Sequence, residues 1–316
     1  MSLTSVLMPK ETGENPVDVL IQQLESVLLG KEEQVKLAVC CLLAKGHLLV
    51  EDRPGVGKTT LAHAIGQSLG LQWKRVQFTN DLLPADICGV SVFNQAQAAF
   101  EFKPGPVFAP LLMADEINRA PPRSQSALLE AMEERQVTVD GNTYQLDPLF
   151  FVVATQNPAD RAGAYPLPES QLDRFLAGTA LGYPEAEIEK ELLLGNGSRS
   201  NKHDLEPVCN AEQLSAWQQS VAQVHVAPAV VDYTHALLQA TRDREIGQQD
   251  CRGMSPRAGI NLINMARAHA YLKQRAMVLP EDIQAVFPSV AGHRLTGSVT
   301  SGAELSQQIL DAVPLN

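Results

Sequence analysis

VEDRPGVGKTTLA, residues 50–62, is the most informative stretch of this 316-residue chain. A short apolar run, residues 48–50, precedes a glycine-rich turn, and apolar residues then recur at helical spacing. A turn between a buried strand and a helix N-terminus presents unpaired backbone N–H groups to an anion. The sequence therefore predicts a phosphate-binding loop.

The residues of this loop have distinct expected roles. Gly55 and Gly57 allow the backbone to approach phosphate oxygens, Lys58 can reach the outer phosphates, and the Thr59 hydroxyl can bind Mg²⁺. Asp52 stands where the pattern G-x-x-x-x-G-K-[ST] has its first glycine, and we expect it to be tolerated because Asp adopts unusual backbone angles. The predicted nucleotide contacts are Pro54, Gly55, Val56, Gly57, Lys58, Thr59 and Thr60.

Two further apolar runs end in polar side chains. LLMADE ends in Asp115 and Glu116, of which Asp115 would hold Mg²⁺ through its water shell and Glu116 would act as a base toward water. An acidic strand end can also simply cap the next helix. FFVVATQNP brings Asn157 to a third strand end, where it is either a turn residue before Pro158 or an amide that orients the water.

The alternation of elements predicts an α/β fold. Strand candidates at 48–50, 75–78, 111–114, 150–155 and 178–181 are separated by helical patterns, which indicates a parallel sheet covered by helices on both faces. Two hairpins interrupt this order. GVSVFNQAQAAFEFK predicts a hairpin with a long tip, and QVTVDGNTYQL predicts a tight one with Asp140-Gly141 at its turn.

Strand signals fade after residue 183. We assign residues 1–183 to a nucleotide-binding domain, 184–205 to a linker that begins with a Glu-rich helix, and 206–316 to an all-helical domain. Net charge −11 disfavours broad binding to nucleic acid or anionic membrane. The chain start lacks a signal-peptide pattern, no run is long enough to span a membrane, and five irregularly spaced cysteines suggest free thiols in a reducing cytoplasm.

Taken together, these motifs resemble the AAA+ ATPases and, more narrowly, the MoxR family. The narrower resemblance rests on EDRPGVGKTTLA, DEINRAPPRSQSALLEAMEERQVTVDG, VVATQNP, YPLPESQLDRF and SPRA, and it extends from about residue 20 to 295. The resemblance implies a P-loop NTPase domain with a C-terminal helical lid, and it implies ATP and Mg²⁺ as ligands. It also accounts for Asp52, since E-D-x-P-G-x-G-K-T resembles the family's own form of the loop. Arg53 departs mildly from the small apolar residue usual there.

The resemblance also implies roles for residues outside the loop. Asn157 matches sensor 1, Arg174 matches an arginine finger that reaches a neighbouring subunit's nucleotide, and Arg257 matches sensor 2 on the lid. Gly30 lies where the adenine pocket forms. Alone, either arginine could be a surface ion-pair residue. Arg119, Arg123 and Arg161 are weaker candidates for a subunit interface, and His293 is expected to be a packing residue.

The expected partners follow from the same resemblance. It implies a homo-oligomeric ring, expected to be a hexamer, whose hairpins face a central pore. It implies a protein client, remodelled together with a von Willebrand factor A domain partner, and this role can include metal insertion. A chelatase motor subunit and a nucleic-acid translocating ring are alternatives. Few Lys and Arg residues at the hairpin tips argue against nucleic acid.

Overall fold

The computed structural model describes residues 15–157, 164–194, 205–243 and 252–315. Its strands are β1 (Leu48–Glu51), β2 (Trp73–Gln77), β3 (Gly89–Asn94), β4 (Ala99–Pro104), β5 (Leu111–Asp115), β6 (Gln136–Val139), β7 (Asn142–Gln145), β8 (Phe151–Gln156) and β9 (Ala177–Thr179). Five of them form one sheet in the order β2-β5-β8-β1-β9, and every neighbouring pair is parallel. The carboxyl ends of β1, β5 and β8 therefore lie side by side at one edge of the sheet.

The helices cover both faces of this sheet, as predicted. They are α1 (Pro16–Val27), α2 (Glu32–Leu43), α3 (Lys58–Ser68), α4 (Pro84–Cys88), α5 (Pro122–Glu134), α6 (Glu169–Leu172), α7 (Ala186–Leu193), α8 (Ala211–Ala222), α9 (Pro228–Arg242), α10 (Pro256–Leu272), α11 (Pro280–Thr296) and α12 (Val299–Ala312). Two short 3₁₀ turns occupy Pro106–Phe108 and Ile117–Arg119. Successive strand residues enter different cores: Met113 packs into the core that contains α1–α3, and Leu112 packs into the core that contains α5.

The two predicted hairpins are present, and one differs in detail. β3 pairs with β4 through the register Asn94↔Ala99, so the tip is only residues 95–98 and the prediction of a long tip was wrong. The second hairpin, β6–β7, turns at Asp140 and Gly141, which have φ angles of 51° and 80°. Positive φ angles at both central residues are characteristic of the type I′ turn, a common two-residue hairpin connection.

The C-terminal part of the described chain is helical from α8 onward. α8 packs against the N-terminal helix α2, and Gln218 Nε2 donates to Leu42 O at 2.9 Å. α7 lies within the predicted linker, at the place where the Glu-rich helix was expected. His293 is fully buried, as expected for a packing residue, and its Nε2 lies 3.3 Å from Phe175 O.

The described residues include twelve α-helices and four of the five cysteines. None of their helices is long and apolar enough to cross a membrane. Four cysteines, Cys40, Cys41, Cys88 and Cys209, are free thiols, and burial raises the pKa of each. Within the same residues, no group of three or more His, Cys, Asp or Glu side chains is arranged to hold a metal ion.

Candidate functional site

The glycine-rich loop connects β1 to the N-terminus of α3. Gly55 and Gly57 have φ angles of 88° and 104°, a region that L side chains rarely adopt, and Gly57 is the N-cap of α3. The Lys58 side chain folds back, so that Nζ donates to Asp52 O at 2.6 Å. Burial lowers the pKa of Lys58, and the carboxylates of Asp115, Asp52 and Glu116 oppose that shift. A buried cation therefore lies at the helix N-terminus, where an anion would bind.

The contacts of the Asp52 side chain account for an Asp at the position where the pattern has its first glycine. Asp52 is absent from the residues with positive φ, so a permissive backbone is the wrong reason for its position. Its Oδ1 accepts from Arg53 N at 2.7 Å, and its Oδ2 accepts from Gly182 N at 2.6 Å. Asp52 thus ties the start of the loop to the segment that follows β9.

Asp115 lies at the carboxyl end of β5 with two partners from neighbouring strands. Its Oδ2 accepts from Arg75 Nη2 at 2.5 Å, and its Oδ1 accepts from Thr155 Oγ1 at 2.6 Å. Thr155 Oγ1 in turn accepts from Glu116 N at 2.9 Å. The sequence patterns did not indicate Arg75 or Thr155, because only the strand order brings them to Asp115.

Glu116 adopts a left-handed backbone conformation, with φ 55° and ψ 49°. This is uncommon for a residue other than glycine and is typical of functional turns. Glu116 Oε2 accepts from Gln77 Nε2 at 2.9 Å and from Arg119 Nη1 at 2.8 Å. Arg119, an interface candidate, is therefore in contact with Glu116 of its own chain. Of the other two candidates, Arg123 is exposed on α5, and Arg161 lies outside the described residues.

An open cleft of about 750 Å³ joins the loop to the two carboxylates. Its lining residues are Val27, Leu28, Leu29, Lys31, Pro54, Gly55, Val56, Gly57, Lys58, Thr59, Thr60, Arg75, Gln77, Asp115, Glu116, Tyr183, Pro184, Glu189 and Leu193. All seven predicted loop contacts, Asp115 and Glu116 therefore face one cleft. A cleft of this volume is large enough to hold a nucleotide.

The far end of the cleft is built from the α1–α2 connection and the segment after β9. Lys31 Nζ donates to Tyr183 O at 2.8 Å, which joins the two segments at this end. Gly30 is not itself among the lining residues, but Leu29 and Lys31 on either side of it are. It has φ 69°, and a Cβ there would lie 2.5 Å from Ile188 Cδ1 of α7. The positive φ favours glycine at residue 30, and a side chain there would also require the Ile188 side chain to move.

The residues at the loop end of the cleft fit Mg²⁺ in chemical type. The hydroxyl of Thr59 and the carboxylate of Asp115 are hard oxygen donors, which Mg²⁺ prefers. Asn157 follows β8 at the same sheet edge and is buried, but it is not among the described residues that line the cleft. Its main-chain oxygen lies 3.4 Å from Asn118 Nδ2.

Arg174 and Arg257 lie together, and neither is among the described residues that line the cleft. Arg174 Nε is 2.9 Å from Glu133 Oε2, and Arg257 Nη2 donates to Glu133 Oε1. The structure therefore brings the two predicted catalytic arginines to one carboxylate. The sequence patterns did not indicate Glu133.

Two known protein families match this chain, one in its N-terminal part and one in its C-terminal part. The profile of the ATPase family associated with various cellular activities (AAA) matches residues 47–177, and that of the AAA lid domain matches residues 252–313. The chain is similar to the protein YeaC of Bacillus subtilis, with 45% identity over 87% of this chain and 85% of YeaC.

Two further similarities cover most of the chain. Chaperone MoxR1 of Mycobacterium tuberculosis is 39% identical over 92% of this chain and 78% of its own length. The crystal structure of a candidate ATPase from Cytophaga hutchinsonii superposes with a TM-score of 0.84 at 34% identity, over 96% of this chain and 95% of that one. Together with the parallel sheet, the loop and the helical lid, these similarities identify the chain as a member of the MoxR family of AAA+ ATPases.

Proposed function

We propose that this protein hydrolyses Mg²⁺-bound ATP in the cleft and couples hydrolysis to the remodelling or activation of a protein client. The observation that carries the proposal is the convergence of Lys58, Asp115 and Glu116, from separate elements, on one cleft at the strand ends. Lys58 would exchange its contact with Asp52 O for the outer phosphates. Thr59 and Asp115 would hold Mg²⁺, which supplies charge stabilisation to the phosphates when bound.

The chain's own groups then act on the attacking water. Glu116 would accept its proton, and Gln77 and Arg119 hold the Glu116 carboxylate in place. Asn157 would orient the same water from the neighbouring strand end. Arg174 and Arg257 would stabilise the charge that develops on the transferred phosphoryl group.

Because the two arginines lie apart from the lining of their own cleft, we propose that they act on a neighbouring subunit's nucleotide. This requires a homo-oligomer with repeated head-to-tail interfaces, for which we propose a hexameric ring. A second mode of action, nucleic-acid translocation, is disfavoured by the net charge of −11.

The proposed client is a protein, and the proposed partner carries a von Willebrand factor A domain. The name of the relative Chaperone MoxR1 supports a protein client, and the resemblance of the motifs to the MoxR family supports the partner. The first hairpin also exposes apolar side chains, Val92, Phe93 and Phe100, that a protein client can contact. Maturation of the client by metal insertion is part of the proposal, and the free thiols favour a cytoplasmic location.

A mixing experiment tests the proposed active site. Glu116→Gln keeps the side-chain shape and removes the base, so ATP should bind while turnover falls ~10²-fold or more. Arg174→Ala should bind ATP and lose ~10³-fold or more in turnover. Mixed rings contain interfaces with an intact Glu116 on one side and an intact Arg174 on the other, so part of the activity should return.

The mixture is compared with each variant alone, at concentrations where the subunits assemble and exchange. Absence of recovery, with exchange verified by mass spectrometry, would contradict the placement of Arg174 in the neighbouring site. Parental turnover by Glu116→Gln would leave Glu116 as a turn residue only.

A further inference from the structure

Glu133, near the C-terminal end of α5, contacts two arginines from different parts of the chain. Its Oε2 lies 2.9 Å from Nε of Arg174, which follows α6 in the nucleotide-binding domain. Its Oε1 accepts from Nη2 of Arg257, near the start of α10 in the lid. Each carboxylate oxygen is thus used by one arginine, and the carboxylate links the two domains.

Two guanidinium groups that contact the same carboxylate repel each other, and Glu133 supplies the negative charge that offsets this repulsion. Arg174 makes this contact through Nε, so within the described part of the chain its terminal nitrogens, with their N–H donors, remain for another anion. The group is also accessible, because the side chains of Glu133 and Arg174 are each 28% exposed and that of Arg257 is 50% exposed. A phosphate brought by another subunit can reach it.

The backbones that carry the three side chains are fixed by the surrounding structure. α5 buries Leu129 and Met132 in the core beside Glu133. Asp173, next to Arg174, accepts from Arg294 Nε at 2.7 Å and from Ser255 Oγ at 3.0 Å. Ser255 caps α10 by accepting from Ala258 N at 3.1 Å, and this sets the position of Arg257. Between these fixed backbones, Glu133 is the side chain that contacts both arginines.

We propose that Glu133 is a positioning residue that holds Arg174 and Arg257 as one unit, directed at the nucleotide of a neighbouring subunit. The proposal rests on the proposed function, in which the two arginines act across a subunit interface. Glu133 itself would not touch the nucleotide. It would act in the subunit that donates the arginines and not in the subunit that binds the ATP.

Single variants give the first test. Glu133→Ala should lower kcat by ~10- to ~10²-fold, the scale of misplacing a catalytic group by ~1 Å, with little change in ATP affinity. Glu133→Gln, which keeps one acceptor oxygen, should retain more turnover than Glu133→Ala. Glu130→Ala is the matched control, because Glu130 is exposed one turn earlier on α5. Parental or raised turnover in both Glu133 variants would overturn the proposal.

Thermal melting separates positioning from a structural tie between the domains. Because the contact is partly exposed, the melting temperatures of Glu133→Ala and Glu133→Gln should match that of Glu130→Ala. A fall in melting temperature that parallels the loss of turnover in both variants would show that Glu133 only holds the lid in place, and would overturn the proposal.

Mixed rings give the decisive test. Glu133→Ala mixed with Glu116→Gln should recover activity, because some interfaces combine an intact base with an intact arginine donor. A mixture of Glu133→Ala and Arg174→Ala should not regain ATPase activity, because every subunit that could supply the arginines then carries one of the two substitutions. The opposite pattern, recovery with Arg174→Ala and none with Glu116→Gln, would place Glu133 with its own nucleotide and overturn the proposal.

The Glu116→Gln and Arg174→Ala mixture is run beside these two. That mixture can regain ATPase activity while Glu133→Ala regains it with Arg174→Ala and not with Glu116→Gln. In that case only the proposed role of Glu133 is wrong. If that mixture does not recover, the arginines do not act across an interface, and the role of Glu133 is wrong together with that part of the proposed function.

Discussion

Lys58 is a buried cation whose Nζ donates to a main-chain carbonyl, Asp52 O, at 2.6 Å. A carbonyl compensates a positive charge less well than an anion does, and burial accordingly lowers the pKa of Lys58. An incoming phosphate offers the fuller compensation, at a helix N-terminus that also favours negative charge. The loop is therefore prepared for an anion before one arrives.

We expect Lys58→Ala to weaken ATP binding by ~10²-fold or more, because it removes charge-assisted hydrogen bonds worth about 1.5–3 kcal/mol each. Binding of a fluorescent ATP analogue measures the effect. Lys36→Ala is the matched control, because Lys36 is a surface residue paired with Glu33 on α2. Micromolar affinity retained in Lys58→Ala would count against the loop as the phosphate site.

Which site residues could be predicted from sequence depends on how far away their partners are. Lys58 and Glu116 follow from a local pattern of strand, turn and helix that requires no knowledge of the rest of the chain. Gly182, which donates to Asp52, is 130 residues distant, and Thr155, which donates to Asp115, is 40 residues distant. Such pairs depend on the order of strands in the sheet, which the sequence patterns do not specify.

At the scale of elements, buried strands were predictable and exposed ones less so. The strand predicted at 111–114 is β5, Leu111–Asp115, because a strand buried on both faces reads as a continuous apolar run. The β3–β4 hairpin is largely exposed, and its strands continue through polar and alanine residues. Those residues carry little strand signal, so the tip was predicted too long.

His47 shows how one side chain connects three elements. It immediately precedes β1, its Nδ1 accepts from Val152 N of β8 at 3.0 Å, and its Nε2 lies 3.3 Å from Met132 O of α5. The neutral tautomer with the proton on Nε2 satisfies both contacts. Burial, aided by the charge of Arg135, lowers the pKa of His47 to about 3.

The lowered pKa predicts a loss of stability in acid. Unfolded His47 binds a proton near its ordinary pKa of about 6.5, whereas folded His47 does not until about 3. The contribution of neutral His47 is therefore complete above pH ~6.5 and is lost progressively as the pH falls below it, by up to about 1.4 kcal/mol per pH unit.

Urea unfolding between pH 7 and pH 4.5 measures this dependence. His47→Asn is the informative variant, because the amide oxygen can accept from Val152 N without titrating. Its free energy of unfolding should fall less steeply with decreasing pH than that of the parent. Equal slopes would mean that His47 does not titrate on unfolding.

At the scale of the whole molecule, the lid is joined to the nucleotide-binding domain by a buried cation. Arg294 of α11 donates through Nε to Asp173 Oδ1 at 2.7 Å and through Nη2 to Phe175 O at 2.6 Å. Burial lowers the pKa of Arg294, and its hydrogen bond to Asp173 opposes that shift. A second ion pair, between Arg252 and Glu169, crosses the same boundary but lies at the surface.

The two pairs predict very different costs for the same substitution. Arg294→Met leaves Asp173 and the Phe175 carbonyl without their buried donor, so we expect a loss of about 3–5 kcal/mol in the free energy of unfolding. Arg252→Met removes an ion pair between side chains that are 41% and 66% exposed, for which we expect about 1 kcal/mol or less. Urea unfolding of both variants at pH 7 measures the difference. Because Asp173 adjoins Arg174, Arg294→Met should also lower ATP turnover at a temperature where it stays folded, whereas Arg252→Met should not. Equal and small losses in the free energy of unfolding of the two variants would show that apolar packing, and not Arg294, holds the lid.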